Sequence, residues 1–280
     1  MRFASRHRFA IFASLVVAQS CGPHNPTAPR TFDHPSSTTS VSIASGPFEL
    51  KATLARPVGE GPFRAIVYNH GSAAAPSYKE QREIGEFFQR HGIITLFPYR
   101  RGSSGSEGVH WEKRVEHVPA NGRFAAIVRA IEEDNDDVIA SIEWLRKLPD
   151  VDPRRVAVAG CSFGGIQALL TAERTKSAYA AIDFAGASMS WANSQELQDR
   201  LKAAAAHAQV PVFLLQAEND FNTTPTRELA RVMAHVGKPH RVKIYPPHGL
   251  TPQEGHHGFC FSGTKEWGDD VLAFLDALKP

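Results

Sequence analysis

The chain reads as a doubly wound α/β domain, a mostly parallel sheet with helices on both faces. Three observations predict this. Short apolar runs rich in β-branched residues recur along the body, segments with helical spacing separate them, and the runs are apolar at consecutive rather than alternating positions. A strand that is apolar on both faces must be covered on both, which is the mark of a parallel sheet between two helical layers. With 280 residues, 42% of them hydrophobic, the chain has material for one large core that needs no metal or disulfide staples.

In chain order, residues 1–20 come first. Arg2, Arg6 and Arg8 precede a short apolar run from Phe9 to Ala18, and Gln19-Ser20 follow. A basic head, a short greasy middle and a small-residue exit describe a secretory signal peptide, so the protein is expected to be exported. Cys21 stands where a bacterial lipoprotein carries its lipidated cysteine, although Ala18 occupies the position that usually holds leucine. Residues 21–40 hold Pro23, Pro26, Pro29 and Pro35 with a Ser/Thr run, too little apolar surface to offset ordering, and read as a flexible tether. The folded domain is expected over 41–280.

That domain should open with a hairpin, Val41–Ala44 and Phe48–Ala55 around Gly46-Pro47, adding antiparallel strands at one edge. The parallel strands are expected at Ala65–Asn69, Ile93–Phe97, Val156–Gly160, Ala180–Phe184, Pro211–Leu215 and Arg241–Tyr245. Helices are expected at Lys79–His91, Asn135–Leu148, Phe163–Arg174, Gln195–His207, Pro225–Val236 and Thr264–Leu278. In Asn135–Leu148, Val138, Ile142 and Leu145 share a face. Acidic residues fill its first turn, Arg146 and Lys147 its last, and Pro149 stops it. Two segments exceed a minimal fold of this class, Glu107–Glu133 and Ala187–Gln209, and are expected to form a small helical cap above the strand ends.

Composition excludes several functions. Basic and acidic residues number 31 and 29, so no basic stripe points to nucleic acid. No apolar run approaches the ~20 residues of a membrane span. Three cysteines without a C-x-x-C pair argue against a zinc ribbon or thioredoxin-like centre. No carboxylate stands at H-E-x-x-H or H-x-x-E-H spacing beside His256-His257, so no metal site is expected there.

In an open parallel sheet, ligands bind where strands end at their carboxyl side, and reactive residues cluster there. After Val156–Ala159 comes Gly160-Cys161-Ser162-Phe163-Gly164-Gly165, a G-x-S-x-G placed between a strand and a helix. Such a turn exposes the Ser162 hydroxyl at a helix N-terminus and makes it the candidate nucleophile. A serine needs a base oriented by an acid. Asp220 in Gln216-Ala217-Glu218-Asn219-Asp220 is the favoured acid; Glu218, nearer the strand, is the alternative. For the base, His248, His256 and His257 all follow the last strand. His257 is preferred because Gly258-Phe259 lets the chain turn sharply behind it, while His256 is close enough to exchange roles. The oxyanion donors are expected to be the amides of Phe163 and of Ser72 or Ala73, in the loop Asn69-His70-Gly71-Ser72-Ala73. His70 reads as a residue that shapes that loop. Met189 and Trp191, with Arg100, are the candidate pocket residues, while Trp111 reads as surface packing. Cys161 and Cys260 invite a disulfide beside the site in an exported protein, if their Cβ atoms lie within ~4.5 Å; otherwise both are small buried fillers.

Taken together these motifs resemble the α/β-hydrolase superfamily from about Val41 to the C-terminus. Tyr99–Gly108 resembles the R-G-x-G-x-S-x-G turn many members carry, and the run from Trp144 through Val151-Asp152-Pro153 into Ser162 is similar to the dienelactone hydrolase and prolyl-oligopeptidase-like branches. The resemblance implies esterase, thioesterase or short-peptide hydrolase activity on a small-molecule substrate with no cofactor. Dienelactone hydrolases proper carry a cysteine where this chain has Ser162, so lactone specificity is not implied. The propeller of prolyl oligopeptidases has no room here, which lowers the expectation of peptide cleavage. A non-catalytic binding module is the remaining alternative.

Overall fold

The computed structural model describes residues 37–279; the signal segment, Cys21 and most of the tether lie outside them. Strands β1 (Ser37–Ser45) and β2 (Phe48–Arg56) form the expected antiparallel hairpin, turning at Gly46 with φ +56°. Then come β3 (Phe63–Asn69), α1 (Tyr78–Arg90), β4 (Ile93–Pro98), the short α2 (Trp111–Val115), α3 (Ala120–Leu145) and β5 (Val151–Cys161). The second half holds α4 (Phe163–Arg174), β6 (Ala181–Phe184), α5 (Gln195–His207), β7 (Val212–Ala217) and α6 (Thr224–His235). It closes with β8 (His240–Tyr245), α7 (Phe259–Ser262) and α8 (Thr264–Ala277).

The eight strands among the described residues make one sheet in the order β1-β2-β4-β3-β5-β6-β7-β8. The hairpin joins through β2, antiparallel to β4, and every pairing from β4 to β8 is parallel. Alternation along β5 shows how both faces are filled. Val156 and Val158 enter a core with α3, α4, α5 and α6, while Ala157, Ala159 and Cys161 enter a second core with α1, α7 and α8. No helix among the described residues is long and apolar enough to cross a membrane.

Three boundaries differ from expectation by four residues or more, and the simplest is β5, which starts at Val151 rather than Val156. Strand β1 starts at Ser37, inside the expected tether, with Ser37 opposite Arg56 and Ser40 opposite Thr53. An edge strand is held by main-chain hydrogen bonds, so a Ser/Thr run can pair without contributing to the core. Helix α3 starts fifteen residues before the expected Asn135 and buries Ala126, Ala130 and Ile131 along its added turns. Asp137 is therefore a mid-helix residue rather than a first-turn complement to the helix dipole, and Asp134 lies in the same helix just before the expected start.

Both are buried, and each pairs with an arginine of the turn after β4, Arg100 or Arg101, among other partners. Asp137 accepts from the Arg101 amide (2.8 Å), from Arg101 Nε (3.0 Å) and Nη2 (2.8 Å), and from Ser45 Oγ (2.7 Å). Asp134 lies between Arg114 and Arg100. Next to them Asn135 Nδ2 donates to Gln167 Oε1 and Thr171 Oγ1 of α4. A polar seam thus fastens α3 to the site-bearing turn and helix. Removing one partner of a buried, hydrogen-bonded pair leaves the other uncompensated. Asp137→Ala is expected to lower unfolding free energy by roughly 3 kcal/mol in urea titrations; a loss below about 1 kcal/mol would show that the seam contributes little.

Candidate active site

Ser162 occupies the single residue between β5 and α4, at φ +58° and ψ −116°. A non-glycine residue held there is strained and persists only because its surroundings over-determine it. Its amide donates to Phe184 O (2.9 Å), and its carbonyl accepts from the amides of Gly165 (3.0 Å) and Ile166 (3.1 Å). The flanking glycines follow from close approach. A Cβ on Gly160 would sit 2.8 Å from Asn69 O, and one on Gly164 would overlap that same carbonyl. The Phe163 amide, first of α4, has no intrahelical acceptor available to it.

Behind the turn, Gly165 and Gly186 leave room for Asp183, whose carboxylate accepts from the Gly186 amide (2.7 Å). Burial pushes this carboxyl up to about 7, and the Gly186 amide offsets only part of that effect.

The loop after β3 lies directly over Ser162: a Cβ on Gly71 would be 3.9 Å from Ser162 Cβ. Arg100 fixes that loop from behind. Its guanidinium donates to His70 O (2.9 Å) and Gly71 O (2.6 Å), and Nη2 lies 3.3 Å from His70 Nδ1. An arginine only donates, so Nδ1 is the acceptor and His70 carries its proton on Nε2. Burial first, and the Arg100 charge second, hold this imidazole well below its usual pKa. Ser72 O accepts from His110 Nε2 (3.1 Å) and Trp111 Nε1 (3.2 Å). In a trans peptide the N–H points opposite the carbonyl it follows. Drawing Gly71 O and Ser72 O backwards therefore turns the Ser72 and Ala73 amides the other way. Arg100 is 1% exposed and does not face a pocket as expected; it is the anchor of this loop.

The histidine assignment changes. Asp220 pairs with His256, not His257: His256 Nδ1 lies 2.8 Å from Asp220 Oδ2. The other carboxylate oxygen accepts from Ser188 Oγ and the Phe221 amide, both at 2.5 Å. A carboxylate that accepts at Nδ1 leaves the lone pair on Nε2, and that atom is buried without a protein partner. His257 Nδ1 instead lies 2.7 Å from Gln253 Nε2, and burial together with the neighbouring His256 lowers its pKa. The physical reason is local. Glu254–Gly258 is a π-helical turn running on into α7, so Gly258 does not reverse the chain, and adjacent side chains point in different directions around the turn. The overlooked signal is Gly255, where a Cβ would lie 2.5 Å from Asn219 Oδ1; the glycine before His256 lets the turn press onto the acid's loop. Asn219 also bridges to His248 and Thr251, a role not read from sequence. Glu218 is exposed.

A disulfide joins Cys161, the residue before Ser162, to Cys260, four residues after His256, with Cα atoms 6.0 Å apart. It ties the serine's turn to the histidine's segment across 99 residues of chain.

Two cavities flank Ser72. One of about 350 Å³ is lined by Ser162, Phe163, Trp111, Phe124 and Met189 among others. The other, about 250 Å³, is lined by Cys161, His70, Glu80 and His257 among others. Met189 is 55% exposed at the rim of the first, as expected of a pocket residue. Trp191 is not a pocket residue; it is 3% exposed, packed in the core, with Lys202 Nζ 5.3 Å above its ring. Trp111 takes the place expected for it, stacked on Phe163 with centroids 5.7 Å apart. The exchange follows from α2, which brings Trp111 over the strand ends.

Two measurements test this architecture. Cys161→Ala with Cys260→Ala is expected to cost about 2–5 kcal/mol in chemical unfolding, because the long closed loop restricts the unfolded chain; unchanged midpoints would refute the cross-link's role. For Asp183, the native state retains a proton that the unfolded chain releases above about pH 4. Stability therefore falls as pH rises from there to about 7 and levels off above. Asp183→Asn should gain on the wild type across that window, by up to roughly 4 kcal/mol. A pH-independent difference would contradict a buried, proton-retaining carboxyl.

Residues 50–274 match the model of the dienelactone hydrolase family. The chain is 26% identical over 132 residues to the uncharacterized peptidase YtmA of Bacillus subtilis, covering 47% of this chain and 44% of that one. Among solved structures it is similar to the acylaminoacyl peptidase of Pyrococcus horikoshii, with TM-score 0.65 and 17% identity, covering 87% of this chain and 42% of that protein. It is also similar to the dienelactone hydrolase of Anabaena variabilis, with TM-score 0.60 and 20% identity, covering 84% and 99%. The matched regions thus span less than half of the two peptidases, and at these identities the solved structures speak for the fold. With an α/β-hydrolase sheet and a family match over most of its length, the chain belongs to the dienelactone hydrolase family.

Proposed function

We propose that this hydrolase cleaves carboxylic esters, with thioesters and lactones as chemically related substrates, through an acyl-enzyme on Ser162. The observation that carries the reading is the His256–Asp220 pair: buried, 2.8 Å apart, with Nδ1 as donor and Nε2 left as the free base. Ser162 Oγ attacks the carbonyl carbon while His256 Nε2 takes its proton, and Asp220 holds the tautomer and balances the imidazolium. The amides of Phe163 and Ser72 receive the oxyanion. Collapse of the tetrahedral intermediate expels the alcohol, which takes the proton back from His256. Water, deprotonated by the same nitrogen, then attacks the acyl-enzyme and releases the acid. Export is part of the proposal. The basic and apolar start of the chain supports it, and so does the Cys161–Cys260 bridge, which suits an oxidising compartment.

The test is a p-nitrophenyl ester assay with three variants. Ser162→Ala and His256→Ala are each expected to lower kcat by roughly 10⁴–10⁶-fold, and His257→Ala by less than about tenfold. Near-normal turnover by either of the first two would remove the mechanism. The reverse order of the two histidines would return the base to His257.

A further inference from the structure

The cleft around Ser162 has a distinctive charge inventory. The larger cavity is walled by Trp111, Phe124, Ile131, Phe163 and Leu197, and among the described residues the only ionisable side chain on its lining is Glu112. The smaller one carries Glu80 and two imidazoles, His70 and His257, both held below the usual histidine pKa by burial and so neutral. Among the described residues, neither lining includes a lysine or arginine. Arg100, whose guanidinium lies 4.8 Å over the Phe163 ring, is buried and committed to the carbonyls of His70 and Gly71 and to Asp134. An anionic acyl group in the larger cavity would lie against an apolar wall, find no cation on the lining, and meet the Glu112 carboxylate. Burying an unpaired charge is among the largest penalties a site can impose.

Shape adds a second restriction. The acyl carbon bonds to Ser162 Oγ, and Ser162 lines the larger cavity, so the acyl group occupies that one. The proton returns to the leaving oxygen from His256, whose neighbour His257, ring centroids 4.6 Å apart, lines the smaller one; the alcohol leaves on that side. At about 350 Å³ the acyl cavity lies near the lower end of the range for small-molecule sites, ~300–1,000 Å³. The stacked Trp111 and Phe163 rings give it a flat aromatic wall.

We propose that the enzyme selects uncharged esters whose acyl part is apolar and compact, a single ring or short branched chain, and rejects esters whose acyl group carries a carboxylate. The inference rests on the acyl-transfer reading above and specifies its substrate class.

A matched pair of substrates tests it: the p-nitrophenyl ester of monomethyl glutarate, and the p-nitrophenyl half-ester of glutaric acid, with the same chain and leaving group but a free carboxylate. The neutral ester is expected to have the higher kcat/KM by on the order of 100-fold. Phe124→Arg places a cation at the cavity mouth, where Phe124 is 40% exposed on α3, and should narrow that ratio at least about tenfold. Equal or better turnover of the anionic ester, or a ratio that Phe124→Arg leaves in place, overturns the charge selection while acyl transfer stands. Failure of a fluorophosphonate to label Ser162, with neither ester turned over, overturns the acyl-transfer reading and this inference with it.

Discussion

A backbone-against-backbone contact underlies the whole site. The turn from β5 into α4 lies so close to the end of β3 that neither Gly160 nor Gly164 has space for a side chain against Asn69 O. Because β3 and β5 are paired neighbours, with Asn69 opposite Gly160, the loops that follow them must meet. One loop brings Ser162 and the other the Ser72 amide. The sharpness of the turn forces Ser162 to positive φ, and the hydrogen bonds from its amide and to its carbonyl keep it there. A bulkier residue at either glycine would separate the two loops and dismantle the serine's surroundings together with the approach of the Ser72 amide.

Orientation of those amides is set from outside the turn. Arg100 donates to two successive carbonyls, and His110 and Trp111 hold the third. A backbone unit can be aimed by binding its other end, and this protein does so three times in a row. Arg100 is itself supported by Asp134 on α3, and the adjacent Arg101 by Asp137 one turn further along. Helix α3 is thus both a core element and the acidic counterpart of the arginine turn. Desolvated charges at these positions are tolerable because each has an opposite charge beside it, and Asp137 accepts four hydrogen bonds as well.

The opposite side of the site is built from the C-terminal segment. A π-helical turn carries His256 onto Asp220, Gly255 allows its approach to Asn219, and the Cys161–Cys260 bridge fastens the same segment to the residue before Ser162. Ser162, Asp220 and His256 follow β5, β7 and β8, with β6 lying between the first two in the sheet. The small tertiary contacts between their loops hold them in register.

Consecutive apolar runs, helical spacing and G-x-S-x-G determined a great deal unaided: the parallel sheet, the order of its elements, the edge hairpin and the position of Ser162 at a strand-to-helix turn. These are local patterns, and local backbone preference expresses them directly. What only the tertiary structure decided was which of two adjacent histidines meets Asp220, whether Arg100 lines a pocket or anchors a loop, and whether Trp111 or Trp191 faces the cavity. Each choice depends on a partner some thirty or more residues away. The acidic stretch around Asp134 and Asp137 looked like a helix start for the same reason: a carboxylate's charge is written in the sequence, but the guanidinium that neutralises it is found only when the chain has folded.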